Sequence, residues 1–125
     1  MSKRISKHFK EAEFFCKCNL ARCRKVIDHM DADLLETIVR IREQLDFPLV
    51  INSAYRCSTH NQAVGGVTNS LHRQGKALDV ALKDGAQRHE FVELALKYGL
   101  TVIVYPTFIH VDSREGEPKL LSGVY

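Results

Sequence analysis

His72 stands seven residues before Asp79 in the stretch SLHRQGKALDV, and the aspartate lies in otherwise apolar company, KALDVAL. A carboxylate buried among apolar residues is costly without a partner, so the sequence raises the question of what holds it. A second imidazole, His110, follows in FIHVD. Two imidazoles and a carboxylate are good zinc ligands. Three protein ligands with a fourth position open are the catalytic zinc arrangement, in which the ion acidifies a water and polarises a carbonyl, as amide hydrolysis requires. The His-x6-Asp spacing is a weak signal by itself, since chance produces it often and most lone histidines are surface or core residues.

The elements that must position these residues can be read from patterning. MDADLLETIVRIREQLD reads as a helix capped by Asp31, with Leu34, Leu35, Ile38, Ile41 and Leu45 on one stripe and Pro48 as the stop. PLVIN follows as a short buried strand. CSTHNQAVGG reads as one or two helical turns ended by Gly65-Gly66, and VTNS as a polar loop. KALDVAL alternates, with Leu78, Val80 and Leu82 on a core face and Ala77, Asp79 and Ala81 on a small, acidic one. DGAQRHEFVELALKYG is a helix capped by Asp84 and closed by Gly99. TVIVY and FIHVD are strands joined tightly through Pro106-Thr107, with Ile109 and Val111 facing the core and Phe108, His110 and Asp112 facing the other way. The tail beyond Arg114 is turn-like. The expected fold is α+β: a small antiparallel sheet with flanking helices and one polar, zinc-binding face.

At 125 residues the chain suits a single domain with one core, residues 1–125, and no second domain is expected. No apolar run approaches the roughly 20 residues that span a bilayer, and the first residues, MSKRISKHFKEAEFF, have no apolar h-region. Synthesis in a cytoplasm without a signal peptide is therefore expected. A net charge of +3 favours contact with anionic surfaces such as cell-wall polymers. It is too small and too scattered to indicate nucleic acid. No membrane insertion and a monomer are expected.

Taken together, S-x-H-x2-G-x-A-x-D in SLHRQGKALDV, the FIHVD segment, and the preceding INSAYR and HNQAVGG resemble the zinc D-Ala-D-Ala carboxypeptidases, a family of peptidoglycan peptidases that includes phage endolysins and bacterial cell-wall carboxypeptidases. The resemblance runs from about Phe9 to Arg114. It implies zinc as cofactor, bound by His72, Asp79 and His110, and a substrate-binding arginine at Arg56. It also implies a stem-peptide amide bond as substrate. The expected protein is a phage endolysin that reaches the wall after release by a separate holin-like protein. The alternatives are a bacterial or prophage D-Ala-D-Ala carboxypeptidase and an inactive zinc-binding module on the same fold.

Many relatives carry a glutamate three residues before the last histidine as general base. Thr107 occupies that position here and cannot serve. Asp112, on the same strand face as His110, is the nearest candidate; its other reading is a carboxylate that orients a histidine ring. Arg56 alone would be read as a structural arginine, but beside a zinc groove a guanidinium can hold a carboxylate or carbonyl oxygen bidentately. Ser70 either caps a turn or lines the groove and binds substrate. Gly75 and Ala77 are expected to keep space clear for the ligands. Tyr55 is expected to pack, and His8, His29 and His89 to be surface residues; His60 stays open. Cys16, Cys18, Cys23 and Cys57 fit a structural zinc (although C-x-C-x4-C lacks the usual knuckle spacing), disulfides, or plain thiols. A thiol nucleophile is disfavoured, because nothing orders a histidine base beside one.

Overall fold

The computed structural model describes residues 5–18, 29–65 and 70–122. Among the described residues, helices α1 (Ala32–Gln44), α2 (Ser58–Ala63) and α3 (Gly85–Lys97) accompany strands β1 (Val50–Ser53), β2 (Ala77–Ala81), β3 (Thr101–Val104), β4 (Phe108–Asp112) and β5 (Leu120–Ser122). A 3-10 turn at Glu11–Phe14 precedes them.

The helices start where the sequence supplies a cap. Asp31 accepts from the Leu34 N–H at 2.9 Å and Asp84 from the Gln87 N–H at 3.0 Å, each satisfying a donor the first helical turn leaves open. Gly99, at φ +89°, ends α3 in the left-handed conformation glycine tolerates. The stripe Leu34, Ile38, Ile41 of α1 and the pair Phe91, Ala95 of α3 are buried. They meet the sheet face formed by Leu78, Val80, Val102, Ile109 and Val111, and Phe9 and Phe14 complete this core from the N-terminal segment.

The strand order is β1-β2-β4-β3-β5. The first four strands pair antiparallel, but β5 runs parallel to β3, with Val102 opposite Leu120 and Val104 opposite Ser122. The expectation of a purely antiparallel sheet and a turn-like tail is thus corrected. Leu120 and Leu121 are exposed, so the core-facing periodicity by which strands are recognised is missing from β5. β1 also differs from a buried strand. It lies at a sheet edge, and Val50 and Asn52 are exposed while only Ile51 is buried. Among the described residues no helix is long and apolar enough to cross a membrane.

Candidate metal centre

Register sets the site. β2 and β4 pair so that Asp79 lies directly opposite His110 and Ala77 opposite Asp112, all on the face turned away from the core. On the other side of β2, the pairing with β1 shifts by one residue between Ile51 and Ser53. Such a bulge re-aims the strand that carries it, and here it leads into Ala54–Arg56. His72 enters from the tight turns before β2.

The three side chains converge. The ligating atoms of His72, Asp79 and His110 all lie within 4.8 Å of one another. Asp79 Oδ1 is 3.2 Å from His72 Nε2 and 2.9 Å from His110 Nδ1. Each imidazole has its other nitrogen tied down. His72 Nδ1 lies 2.8 Å from the Ala54 carbonyl oxygen, and His110 Nε2 lies 2.8 Å from Asp112 Oδ2. A carbonyl oxygen only accepts, so His72 Nδ1 carries the hydrogen. A carboxylate likewise accepts, which places a hydrogen on His110 Nε2. In the neutral rings both remaining lone pairs therefore point at an anionic carboxylate oxygen. Three electron-rich atoms facing one another require a positive charge between or upon them, either a proton or a metal ion.

The proton affinities follow from this arrangement. Burial alone would raise the Asp79 carboxyl, but hydrogen bonds and positive charge from His110 and His72 outweigh it and hold the group down to about 2. Burial opposes charge on His110, yet hydrogen bonds to Asp112 and Asp79 and their negative charge raise its pKa above the ordinary 6.5. Without metal, the raised pKa favours a proton on His110 in that place. With two imidazoles, one carboxylate and both histidines held by outer acceptors, the donor set fits zinc.

Asp112 is fully buried. Its Oδ2 accepts from His110 and from an Arg114 terminal nitrogen at 2.6 Å, while Oδ1 accepts from Arg114 Nε at 2.8 Å and the Arg114 backbone N–H at 3.2 Å. Burial works against its charge, but the Arg114 and His110 contacts hold its carboxyl well below the usual carboxylate range. Of its two readings, general base and ring-orienting carboxylate, this geometry supports the second. Thr107 is exposed at the β3–β4 hairpin, whose closure is a Tyr105 N–H to Phe108 carbonyl bond at 3.0 Å.

Arg56 lies beside the centre. Its backbone N–H donates to the His72 carbonyl at 3.1 Å, and its side-chain Nε is buried with no hydrogen-bond partner among the described residues. A buried donor without an acceptor is costly unless a ligand supplies one. Ser70 is buried, and its hydroxyl oxygen accepts the His72 N–H at 3.1 Å. It shapes the turn that presents His72, in keeping with the turn-capping one of its two readings.

Gly75 also differs from expectation. At φ +70°, an added Cβ would lie 1.7 Å from the His29 carbonyl oxygen. The missing side chain makes room for the backbone entering α1, not for the ligands, and the Gly75 carbonyl accepts the Asp31 N–H there at 2.9 Å. His29 is a half-buried ring stacked on Tyr55 at 4.3 Å, not a surface histidine. His89 is exposed, beside Glu93. Cys16 and Cys57 are buried and Cys18 is half-buried; Cys23 lies outside the described residues.

A family model described as peptidase M15 matches residues 7–112. The chain belongs to the peptidase M15 family. No curated protein matches it. The M15 assignment bears out the resemblance to the zinc D-Ala-D-Ala carboxypeptidases and places the chain among zinc metallopeptidases. Within this M15 chain, sequence reasoning missed the Ala54 carbonyl and Arg114. A backbone acceptor leaves no trace in residue type. Arg114 had a usable signal, an arginine two residues after an inward-facing aspartate.

Proposed function

We propose that this M15 peptidase hydrolyses an amide bond in the stem peptide of peptidoglycan, with zinc held by His72, Asp79 and His110. The observation that carries this reading is the convergence of three ligating atoms whose histidine partners are both fixed by outer acceptors. When bound, zinc supplies Lewis acidity that lowers the pKa of a water and polarises a peptide carbonyl. The protein's own residues do the positioning. Ala54 and Asp112 fix which nitrogen of each imidazole is presented, Arg114 holds Asp112, and Ser70 holds the backbone of His72. Arg56 offers its guanidinium to a substrate carboxylate or carbonyl oxygen, where the Nε, without a partner among the described residues, gains an acceptor. The modest positive net charge favours approach to anionic wall polymers.

The activity proposed is that of an endolysin that cuts within the stem peptide. Arg56 also suits the terminal carboxylate of a D-Ala-D-Ala stem, which is the second reading. Digestion of purified peptidoglycan followed by mass spectrometry of the new termini separates them. Soluble fragments with a new internal stem terminus support the endolysin, and loss of single D-Ala residues from intact stems supports the carboxypeptidase. Unchanged peptidoglycan after incubation with the zinc-loaded protein would rule out both.

A further inference from the structure

The first centre leaves the cysteines unused, and they too converge. The sulfurs of Cys16, Cys18 and Cys57 all lie within 4.8 Å of one another, with no residue shared with the histidine centre. Cys16 and Cys57 are 41 positions apart in sequence, yet their sulfurs are 3.7 Å apart and both are buried. We propose that Cys16, Cys18 and Cys57 form a second metal site, a structural thiolate site for a zinc-class ion that fastens the N-terminal segment to the loop carrying Arg56.

Three features favour a metal over a disulfide or a chance cluster. With zinc–sulfur bonds of about 2.3 Å, two thiolates on one tetrahedral ion stand roughly 3.8 Å apart. The Cys16–Cys57 separation of 3.7 Å matches that edge. It is far from the disulfide length of about 2.05 Å, and no disulfide joins the described cysteines. Second, the Cys57 backbone N–H donates to Cys16 Sγ at 3.3 Å, an outer contact that orients the sulfur as a ligand is oriented. Third, three sulfurs meet, and a disulfide would use only two. The C-x-C step supplies two ligands from the N-terminal segment and Cys57 supplies the third, leaving one tetrahedral position to a ligand outside this trio.

The location gives the site a task. Cys57 directly follows Arg56, whose backbone N–H is bonded to the carbonyl of His72. Tyr55 packs against the cysteine cluster on the near side of Arg56. An ion here fixes the backbone on both sides of the arginine while touching neither substrate nor the histidine centre.

The inference does not rest on the peptidase reading, and its test does not use activity. The full chain, purified from zinc-supplemented cells under reducing conditions, should carry two zinc ions by mass-spectrometric metal analysis. The His110→Ala variant should keep the cysteine-bound ion, and Cys57→Ser should lose one ion and melt at a lower temperature. Reconstitution of the wild-type apoprotein with cobalt(II) alone should give intense near-ultraviolet thiolate-to-cobalt charge-transfer bands, which a histidine–carboxylate site does not produce. This readout stands even if Cys57→Ser fails to fold. Absence of those bands, or a Cys16–Cys57 disulfide in the reduced-lysate protein by intact mass and peptide mapping, would overturn the proposal. So would a single zinc that Cys57→Ser retains.

Discussion

At the scale of single residues, the centre is organised around which nitrogen each histidine presents. The Ala54 carbonyl decides it for His72 and Asp112 decides it for His110. Only the second can be tested by a side-chain change. Asp112→Asn should weaken zinc binding by roughly 10–100-fold, the usual cost of losing an outer carboxylate, and activity should return when zinc is added. If Asp112 were instead the general base, zinc would stay bound and turnover would remain at least about a hundredfold down, within the range of acid–base contributions; a metal titration with parallel rates tells these apart. For Arg56, Arg56→Ala should lower kcat/KM by at least tenfold, about 1.4 kcal/mol, with little change in Tm. Removing a buried donor that has no partner among the described residues costs the fold little. A large drop in Tm with unaltered kcat/KM would mean that the arginine is structural. The residue types at 72, 79 and 110 were legible in the sequence because only a few side chains offer metal-ligating atoms. Ser70 and Asp112 were legible as polar residues near the site, each with two readings, and the choice between them depends on where a hydroxyl or carboxylate finds its nearest donor.

At the scale of elements, the sequence was most readable where periodicity and caps coincide. α1, α3 and the β3–β4 hairpin all follow the expected residues, because a buried face repeats every 3.6 or 2 positions and the caps mark its ends. It was least readable where neither applies. β5 is held by parallel backbone pairing to β3 with its leucines exposed, so nothing in its composition distinguishes it from a loop. Asp79 and His110 could each be placed on a strand, but their meeting depends on the β2–β4 register, which pairs residues 31 positions apart. Gly75 belongs to this scale as well. It lets the turn before β2 dock on the backbone that starts α1, and its positive φ and the 1.7 Å approach to His29 leave no room for a methyl group. Gly75→Ala should therefore destabilise the protein by more than the roughly 1 kcal/mol of an ordinary strained glycine site, since the obstruction is backbone that cannot rotate aside. Denaturant unfolding checks this. Asp84→Ala, at an exposed cap, sets the scale at about 1 kcal/mol; a Gly75→Ala loss no larger than that cap's would show that the two segments can separate cheaply.

At the scale of the whole molecule, the histidine centre couples folding, protons and metal. In the metal-free protein Asp79 is held down to about 2 from an ordinary 3.8. The stability this gives is present above pH 3.8 and is lost as pH falls through 3.8 towards 2. His110 is raised above 6.5, so its contribution is complete below pH 6.5 and is lost as pH rises through its folded pKa. The apoprotein should accordingly lose stability on the alkaline side of 6.5, as the proton that balances the three facing donors departs. Zinc reverses that slope. The ion and the His110 proton compete for the same lone pair, so binding expels the proton. Affinity should climb by up to tenfold per pH unit below the His110 pKa and level off above it. Measured by thermal melts across pH 6 to 9, the stabilisation conferred by saturating zinc should grow with pH. Titration calorimetry in buffers of different ionisation heat should detect proton release that diminishes towards the alkaline end. In Asp112→Asn the His110 pKa loses its largest favourable contact, so the rise in affinity should move to lower pH even as zinc binds more weakly. A zinc affinity that is flat across this range, with no proton released, would mean that the proton does not sit on His110 and that the three donors are balanced in some other way.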